Sequence, residues 1–111
     1  MPNPSRAMAQ ARALLLQAER DYTPQAYARA LAALEELPDQ DDEEVRFCRA
    51  AVQHALAELR GDVEMLRAAT AEYERILRTG ALGPRMATLI PQLVEDCHAQ
   101  IREADGERRR G

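Results

Sequence analysis

The helical character of the chain is clearest in residues 45–61, which read VRFCRAAVQHALAELRG. Apolar residues recur there at steps of three and four: Val45, Cys48, Val52, Leu56 and Leu59. A helix of 3.6 residues per turn places such positions on one face, so this stretch predicts an amphipathic helix. Gly61 is suited to end the helix in a left-handed turn, and Asp41 is the best candidate for its N-cap.

The same spacing continues on both sides of this stretch and predicts four further helices, over residues 4–20, 24–37, 63–79 and from Pro84 onward. Residues that start or stop helices set their limits: Thr23-Pro24, Pro38, Gly61-Asp62 and Gly80. We expect the inward face of the first helix to consist of Met8, Ala11, Leu15, Ala18 and Tyr22.

Pro91 interrupts the pattern of the last stretch, because proline has no backbone N–H to donate. Two interpretations are open: one helix that bends at Pro91, or a helix that begins near Thr88 with Pro91 in its first turn. Residues 106–111 contain no apolar side chain to bury. We therefore expect one helical domain over residues 1–105 and a disordered, arginine-rich tail over 106–111.

The first two helices and the next two resemble one another. A shift of 37 residues places the apolar positions of the first helix on those of the third, and a shift of 39 relates the second to the fourth. The sequence therefore predicts an all-α fold of five helices, arranged as two antiparallel hairpins followed by a C-terminal capping helix. A short α-solenoid and a plain helical bundle both agree with this pattern.

Composition narrows the class of protein. A length of 111 residues suits one domain, and 46% of the residues are apolar, as in a folded protein. The basic residues are all arginines, a bias typical of GC-rich bacterial genomes. The net charge of -4 argues against a nucleic-acid partner, and we expect neither a signal peptide nor a membrane-spanning segment. We expect a bacterial, cytoplasmic protein.

Several residues match tetratricopeptide-like helical hairpin repeats: Asp21-Tyr22 and Gly61-Asp62 at the hairpin turns, the small Ala26 and Ala33, and Pro38 at the end of the first unit. On these residues the segment 5–80 resembles that family. The units are spaced more widely than the family's repeat of about 34 residues, and no proline closes the second unit. The resemblance implies a scaffold that presents a groove to a peptide or helix of a partner.

The third helix has a second apolar face, opposite Val52. This face carries Phe47, Ala50, Ala51, His54 and Ala57, with Glu58 at its edge. One interpretation is a central helix that is packed on both sides. The other is a partner-binding surface anchored by Phe47, in which the alanines admit an incoming helix. The candidate binding residues are then Phe47, Ala50, Ala51, His54 and Glu58.

Two sets of residues raise the question of a metal site. Glu95 and His98 have the spacing that places a carboxylate and an imidazole on one helix face, but a di-metal bundle needs two such motifs. A zinc tetrad would have to gather Cys48, His54, Cys97 and His98. Their spacing matches no compact zinc pattern, and we expect the two cysteines to be free buried thiols. We expect no metal and no cofactor.

No catalytic set is evident, since Ser5 is the only serine and no glycine-rich phosphate loop occurs. Residues 35–44 hold seven carboxylates, which we interpret as helix capping and solubility. The expected function is a non-enzymatic protein–protein interaction module, adaptor or chaperone-like, that binds a partner segment on helices one, three and five. The alternatives are a self-assembling homo-oligomer, such as a homodimer paired through the Phe47 face, and a metal-binding helical bundle.

Overall fold

The computed structural model describes the backbone of residues 4–110 and the side chains of residues 6–107. It contains five α-helices: α1 (Pro4–Asp21), α2 (Pro24–Glu35), α3 (Glu43–Arg60), α4 (Val63–Thr79) and α5 (Gly83–Arg110). There is no β-strand among residues 4–110, and the all-α prediction is confirmed. None of these helices is both long and apolar enough to cross a lipid bilayer.

Most helix ends are held by the residues that the sequence singles out. Thr23 caps α2 by accepting a hydrogen bond from a first-turn amide at 3.2 Å, and Pro24 follows it. Asp62 caps α4 in the same way at 3.1 Å. Gly61 and Gly80 adopt φ angles of 67° and 65°, left-handed conformations that close α3 and α4. These predictions are confirmed.

The N-cap of α3 differs from the expected one. The side chain of Asp42, not Asp41, accepts hydrogen bonds from the amides of Glu44 at 3.0 Å and Val45 at 3.2 Å. Asp41 instead accepts a hydrogen bond from the guanidinium of Arg46 at 2.7 Å. The prediction of Asp41 is wrong because this charge-assisted contact engages its carboxylate and leaves capping to the next residue.

α2 ends at Glu35, two residues earlier than expected. The side-chain amide of Gln40 donates hydrogen bonds to the carbonyl oxygens of Leu34 and Leu37 at 2.8 and 2.7 Å. These bonds satisfy carbonyl oxygens near the end of α2, of which that of Leu34 could gain no partner in a further helical turn, because Pro38 has no N–H. Pro38 also disfavours the helical conformation at Leu37, so the chain leaves the helix before the proline.

α5 is one helix of 28 residues that continues through Pro91. The alternative start near Thr88 is therefore wrong. Pro91 itself is exposed, whereas Ile90 is buried and Leu93 and Val94 pack against the same core. Burial of these neighbours on one face holds the helix together across the hydrogen bond that proline cannot make.

The backbone of residues 106–110 continues α5, whereas we expected the helix to end after Asp105. Extending a helix that is already formed costs little, and glutamate and arginine are good helix formers. The side chains of Arg108–Arg110 lie outside the described residues, as do Gly111 and residues 1–3 of the assigned domain. The division of the chain at residue 105 stays a prediction.

Helices that are neighbours in sequence pack against one another: α1 on α2, α2 on α3, α3 on α4 and α4 on α5. Their buried side chains form two clusters, one built by α1, α2 and α3 and the other by α3, α4 and α5. The molecule measures 54 × 31 × 21 Å, so it is elongated. This arrangement confirms two hairpins followed by a capping helix.

α3 belongs to both clusters and is the central helix. Val52 is fully buried in the first cluster, whereas Ala50 and Ala57, which are 0% and 2% exposed, lie in the second. Phe47 packs against the second cluster as well. The second apolar face of α3 is thus covered in large part by α4 and α5.

Tyr22 does not continue the inward face of α1. It follows the last helical residue, Asp21, with a φ of 51°, and it is 51% exposed. Its ring meets that of the buried Tyr27 edge-on, with 6.2 Å between the centroids. The prediction that Tyr22 points inward is wrong because the helical periodicity on which it rests stops at Asp21.

Candidate protein-binding groove

The candidate binding residues of α3 differ in how accessible they are. Ala50 is fully buried, and the ring centroid of Phe47 lies 6.0 Å from that of Tyr73 on α4. Ala51 is partly buried. Packing of α3 against its neighbours explains why Phe47 and Ala50 are apolar. A role of these side chains in partner binding stays a prediction.

His54 and Glu58 lie at the edge of the same face, one helical turn apart. Glu58 is exposed and accepts a hydrogen bond from the side-chain amide of Gln100 on α5 at 3.3 Å. The carboxylate of Asp96, one turn before Gln100, is close enough to His54 to influence its pKa. α3 and α5 therefore face each other through polar side chains at this edge.

His54 also contacts α4, through the side chain of Tyr73. Its Nδ1 lies 3.4 Å from the hydroxyl of the fully buried Tyr73. Burial raises the pKa of Tyr73, so the hydroxyl keeps its proton. Burial also lowers the pKa of His54 and outweighs the opposite effect of Glu58 and Asp96. A neutral His54 that accepts a hydrogen bond from the Tyr73 hydroxyl at Nδ1 carries its own proton on Nε2.

Two buried polar atoms in the described part of the chain have no hydrogen-bond partner: His54 Nε2 and Gln100 Oε1. They belong to the polar side chains of α3 and α5 that form the edge just described. An unsatisfied buried donor or acceptor costs about 1–3 kcal/mol, and most proteins avoid it. Both atoms are shielded from solvent, so they mark incomplete polar packing between α3 and α5 at this edge.

Next to this edge, the C-terminal ends of α3 and α5 and the N-terminal end of α4 border an open groove of about 300 Å³. Its polar lining consists of Gln100 and the carboxylates of Glu58, Asp62, Glu103 and Glu107. Among the described residues no arginine lines it. We call it the acidic groove, because four carboxylates among its described lining residues favour a negative potential.

The residues considered for a metal site are not brought together. Cys48 lies in the first cluster and Cys97 in the second, and burial raises the pKa of both thiols. His98 lies 3.8 Å from Glu74, and Glu95 is exposed. Over the residues that the structure describes, no three His, Cys, Asp or Glu side chains are grouped so that they could hold a metal ion.

Five of the seven carboxylates in residues 35–44 have partners within the chain. Asp39 accepts a hydrogen bond from the Asp41 amide, Asp41 pairs with Arg46, Asp42 caps α3, Glu43 accepts a hydrogen bond from the Thr79 hydroxyl, and Glu44 pairs with Arg12. These contacts connect the start of α3 to α1 and to the end of α4. Capping and local pairing thus account for more than half of the acidic stretch.

Two polar residues that form contacts of α3, Gln100 and Arg46, were not predicted from the sequence. Gln100 precedes the core residue Ile101, and no pattern in the sequence indicates that it faces α3. Arg46 is only 9% exposed and also donates to Glu72 at 3.3 Å. The one sequence feature that could have indicated the burial of Arg46 is its position within a helix that has apolar residues on two faces.

Comparisons with known proteins do not identify a family. No protein-family model matches the chain, and neither a curated protein nor a solved structure matches it. The candidate site therefore rests on the geometry of this chain.

Proposed function

We propose that the protein is a non-enzymatic interaction module that binds a basic segment of a partner protein in the acidic groove. The observation that supports this most is the lining of that groove, which holds four carboxylates and, among the described residues, no arginine.

A polypeptide segment with arginine or lysine side chains suits this surface chemically. Its backbone N–H groups can donate hydrogen bonds to exposed carboxylates of the groove such as Glu58 and Glu103. Its positive side chains are attracted to the groove carboxylates, and hydrogen bonds between charged partners are about twice as strong as neutral ones. The groove thus favours basic partners and repels acidic ones.

The architecture supports the same proposal. An elongated stack of helical hairpins presents grooves between its helices, and the resemblance to tetratricopeptide-like repeats implies a scaffold for a partner peptide or helix. We propose an adaptor or chaperone-like protein of that kind, acting in the cytoplasm of a bacterium, a source that the arginine-only basic composition favours.

Binding is a better account of the described residues than catalysis. The thiols of Cys48 and Cys97 are buried with raised pKa values, which keeps them in the unreactive protonated form. His54 Nδ1 is engaged by the Tyr73 hydroxyl. Neither arrangement places an activated nucleophile at an accessible position.

The proposal is tested with a charge-reversed groove. We expect the Glu58→Arg/Glu103→Arg variant to lose partner proteins that the unaltered chain captures from the source organism. With a purified partner, its dissociation constant should rise at least about tenfold, equivalent to about 1.4 kcal/mol. The matched control is Asp21→Arg/Glu95→Arg, which changes the net charge equally at exposed sites away from the groove.

Circular dichroism must show that both variants keep their helical content. Loss of binding in the groove variant alone supports the acidic groove as the binding site. Equal binding by all three proteins, or equal loss in both variants, contradicts it.

A further inference from the structure

A second groove, between α4 and α5, has the opposite charge. It encloses about 380 Å³ and is lined by Arg67 and Arg78 of α4 and by His98 and Arg102 of α5, with Glu74 as the one carboxylate among its described lining residues. We call it the arginine groove. Arg67 and Arg78 are eleven residues apart on one helix, so the groove extends over about 16 Å.

The arginine groove contains positive charge that the rest of the chain does not neutralise. Arg67 lies 3.4 Å from Asp105, and Glu74 lies 3.8 Å from His98. Arg78 and Arg102 form no ion pair with any of the described side chains. In a protein with a net charge of -4, two unpaired arginines in one groove form a local site for carboxylates.

The complementary charge lies at the connection between α2 and α3. Glu35, Glu36 and Asp39 are exposed there, and none of them forms an ion pair within the described residues. We call these three the acidic corner. Asp41 and Glu44 of the same stretch are paired with arginines within the chain, whereas the three carboxylates of the acidic corner are not, so their charge is available to another molecule.

We propose that the arginine groove of one copy of the chain receives the acidic corner of a second copy. The acidic corner places three carboxylates within five residues at one end of the first hairpin, and the arginine groove lies on the other side of α3. Because the two surfaces differ, the contact is heterologous and joins copies head to tail. It uses neither the acidic groove nor the Phe47 face and does not rest on the proposed function.

The attraction between the two surfaces is electrostatic and depends on ionic strength. The Debye length is about 30 Å at 0.01 M salt and about 8 Å at 0.15 M, so added salt screens exposed pairs strongly. In sedimentation velocity of the full chain between about 10 μM and about 1 mM, we expect the average sedimentation coefficient to rise with concentration in low salt. The rise should disappear in about 0.5 M NaCl.

Charge exchange identifies the surfaces involved. Arg78→Glu and Glu36→Arg should each weaken the self-association about tenfold in low salt, and the two changes combined should restore it, because the charges again have opposite sign. Arg20→Glu, which changes an exposed arginine at the end of α1, is the control and should leave the association unchanged.

Several outcomes overturn the proposal. They are a monomer at every concentration in low salt, an association that salt does not affect, no recovery in the Arg78→Glu/Glu36→Arg double variant, and an equal loss in Arg20→Glu. Glu103→Arg separates this contact from the proposed function, because it alters the acidic groove alone. A loss of self-association in that variant places the contact at the acidic groove and also overturns the proposal.

Discussion

The hydroxyl of Tyr73 on α4 lies 3.4 Å from Nδ1 of His54 on α3. The same phenol ring packs 6.0 Å from the ring of Phe47 and meets the His54 ring edge-on at 5.9 Å. Tyr73 therefore joins the apolar contact between α3 and α4 to the polar edge that faces α5. A change at this residue affects both the stability of the second cluster and the orientation of His54.

Replacing Tyr73 by phenylalanine tests the hydrogen bond. Tyr73→Phe keeps the ring but leaves the partly buried His54 Nδ1 without a partner, so the free energy of unfolding should fall by about 1–2 kcal/mol in urea denaturation. Tyr22→Phe, at a half-exposed ring, is the control and should change it by less than about 0.5 kcal/mol. Equal stability of Tyr73→Phe and the unaltered chain would show that the bond contributes nothing in solution.

Stability should depend on pH through His54. Its pKa in the folded chain lies below the ordinary value of 6.5, so below that pH the unfolded chain binds more protons than the folded chain. The free energy of unfolding therefore keeps its full value above pH 6.5 as far as His54 is concerned. It decreases as the pH falls below that value. Denaturation curves between about pH 7.5 and about pH 5.5 should show this decline.

Two variants test whether His54 causes that decline in the free energy of unfolding. His54→Gln should flatten the dependence of the unfolding free energy on pH, because the titrating group is gone. His98→Gln, at a partly exposed position on α5, should retain it. A slope that survives in His54→Gln and disappears in His98→Gln would contradict the assignment.

The helices and most of their ends could be predicted from local sequence. The spacing of apolar residues gives α3 its length, and Thr23, Gly61 and Gly80 act on backbone groups within a few residues of themselves. Asp41 and Asp42 show the limit of this reasoning. Both are suitable caps, and the choice between them depends on where the Arg46 guanidinium lies.

The candidate site could be predicted only in part. The second face of α3 was visible in the sequence, and so were His54 and Glu58 as its polar members. The hydrogen bond from Gln100 to Glu58 joins residues that are 42 positions apart, and Tyr73 reaches His54 across 19. Such contacts depend on the packing of α4 and α5 against α3, which periodicity within one helix does not determine.

Phe47 should behave as a core residue. Phe47→Asp places a carboxylate against Tyr73 and the second cluster, and we expect the free energy of unfolding to fall by about 3 kcal/mol or more. Leu16→Asp is the control, since Leu16 is 58% exposed and should tolerate the change. If Phe47→Asp keeps its thermal stability while partner binding is lost, the side chain is a binding anchor instead.

Gln100 should show opposite effects on stability and on binding. Gln100→Leu removes the unsatisfied Oε1 together with one partly exposed hydrogen bond to Glu58, so the free energy of unfolding should rise by about 1 kcal/mol. Partner binding should weaken, because the acidic groove loses the side-chain amide that positions the Glu58 carboxylate. Gln92→Leu, at an exposed position of the same helix, should change neither quantity. A Gln100→Leu variant that is less stable and binds normally would indicate a purely structural glutamine.

Pro91 should limit the stability of α5. It is the ninth residue of the helix and is exposed, so Pro91→Ala supplies the missing amide without disturbing the core. Proline in a helix interior is about 3 kcal/mol less favourable than alanine. Alanine also gives the unfolded chain more conformational freedom, which reduces the expected stabilisation by up to about 1 kcal/mol. We expect thermal and urea denaturation to show an increase of about 2 kcal/mol. Pro84→Ala is the control, because Pro84 lies in the first turn, where proline is tolerated and its removal brings no gain. If Pro91→Ala behaved like Pro84→Ala, Pro91 would also lie in a first turn, and the helix in solution would begin near Thr88.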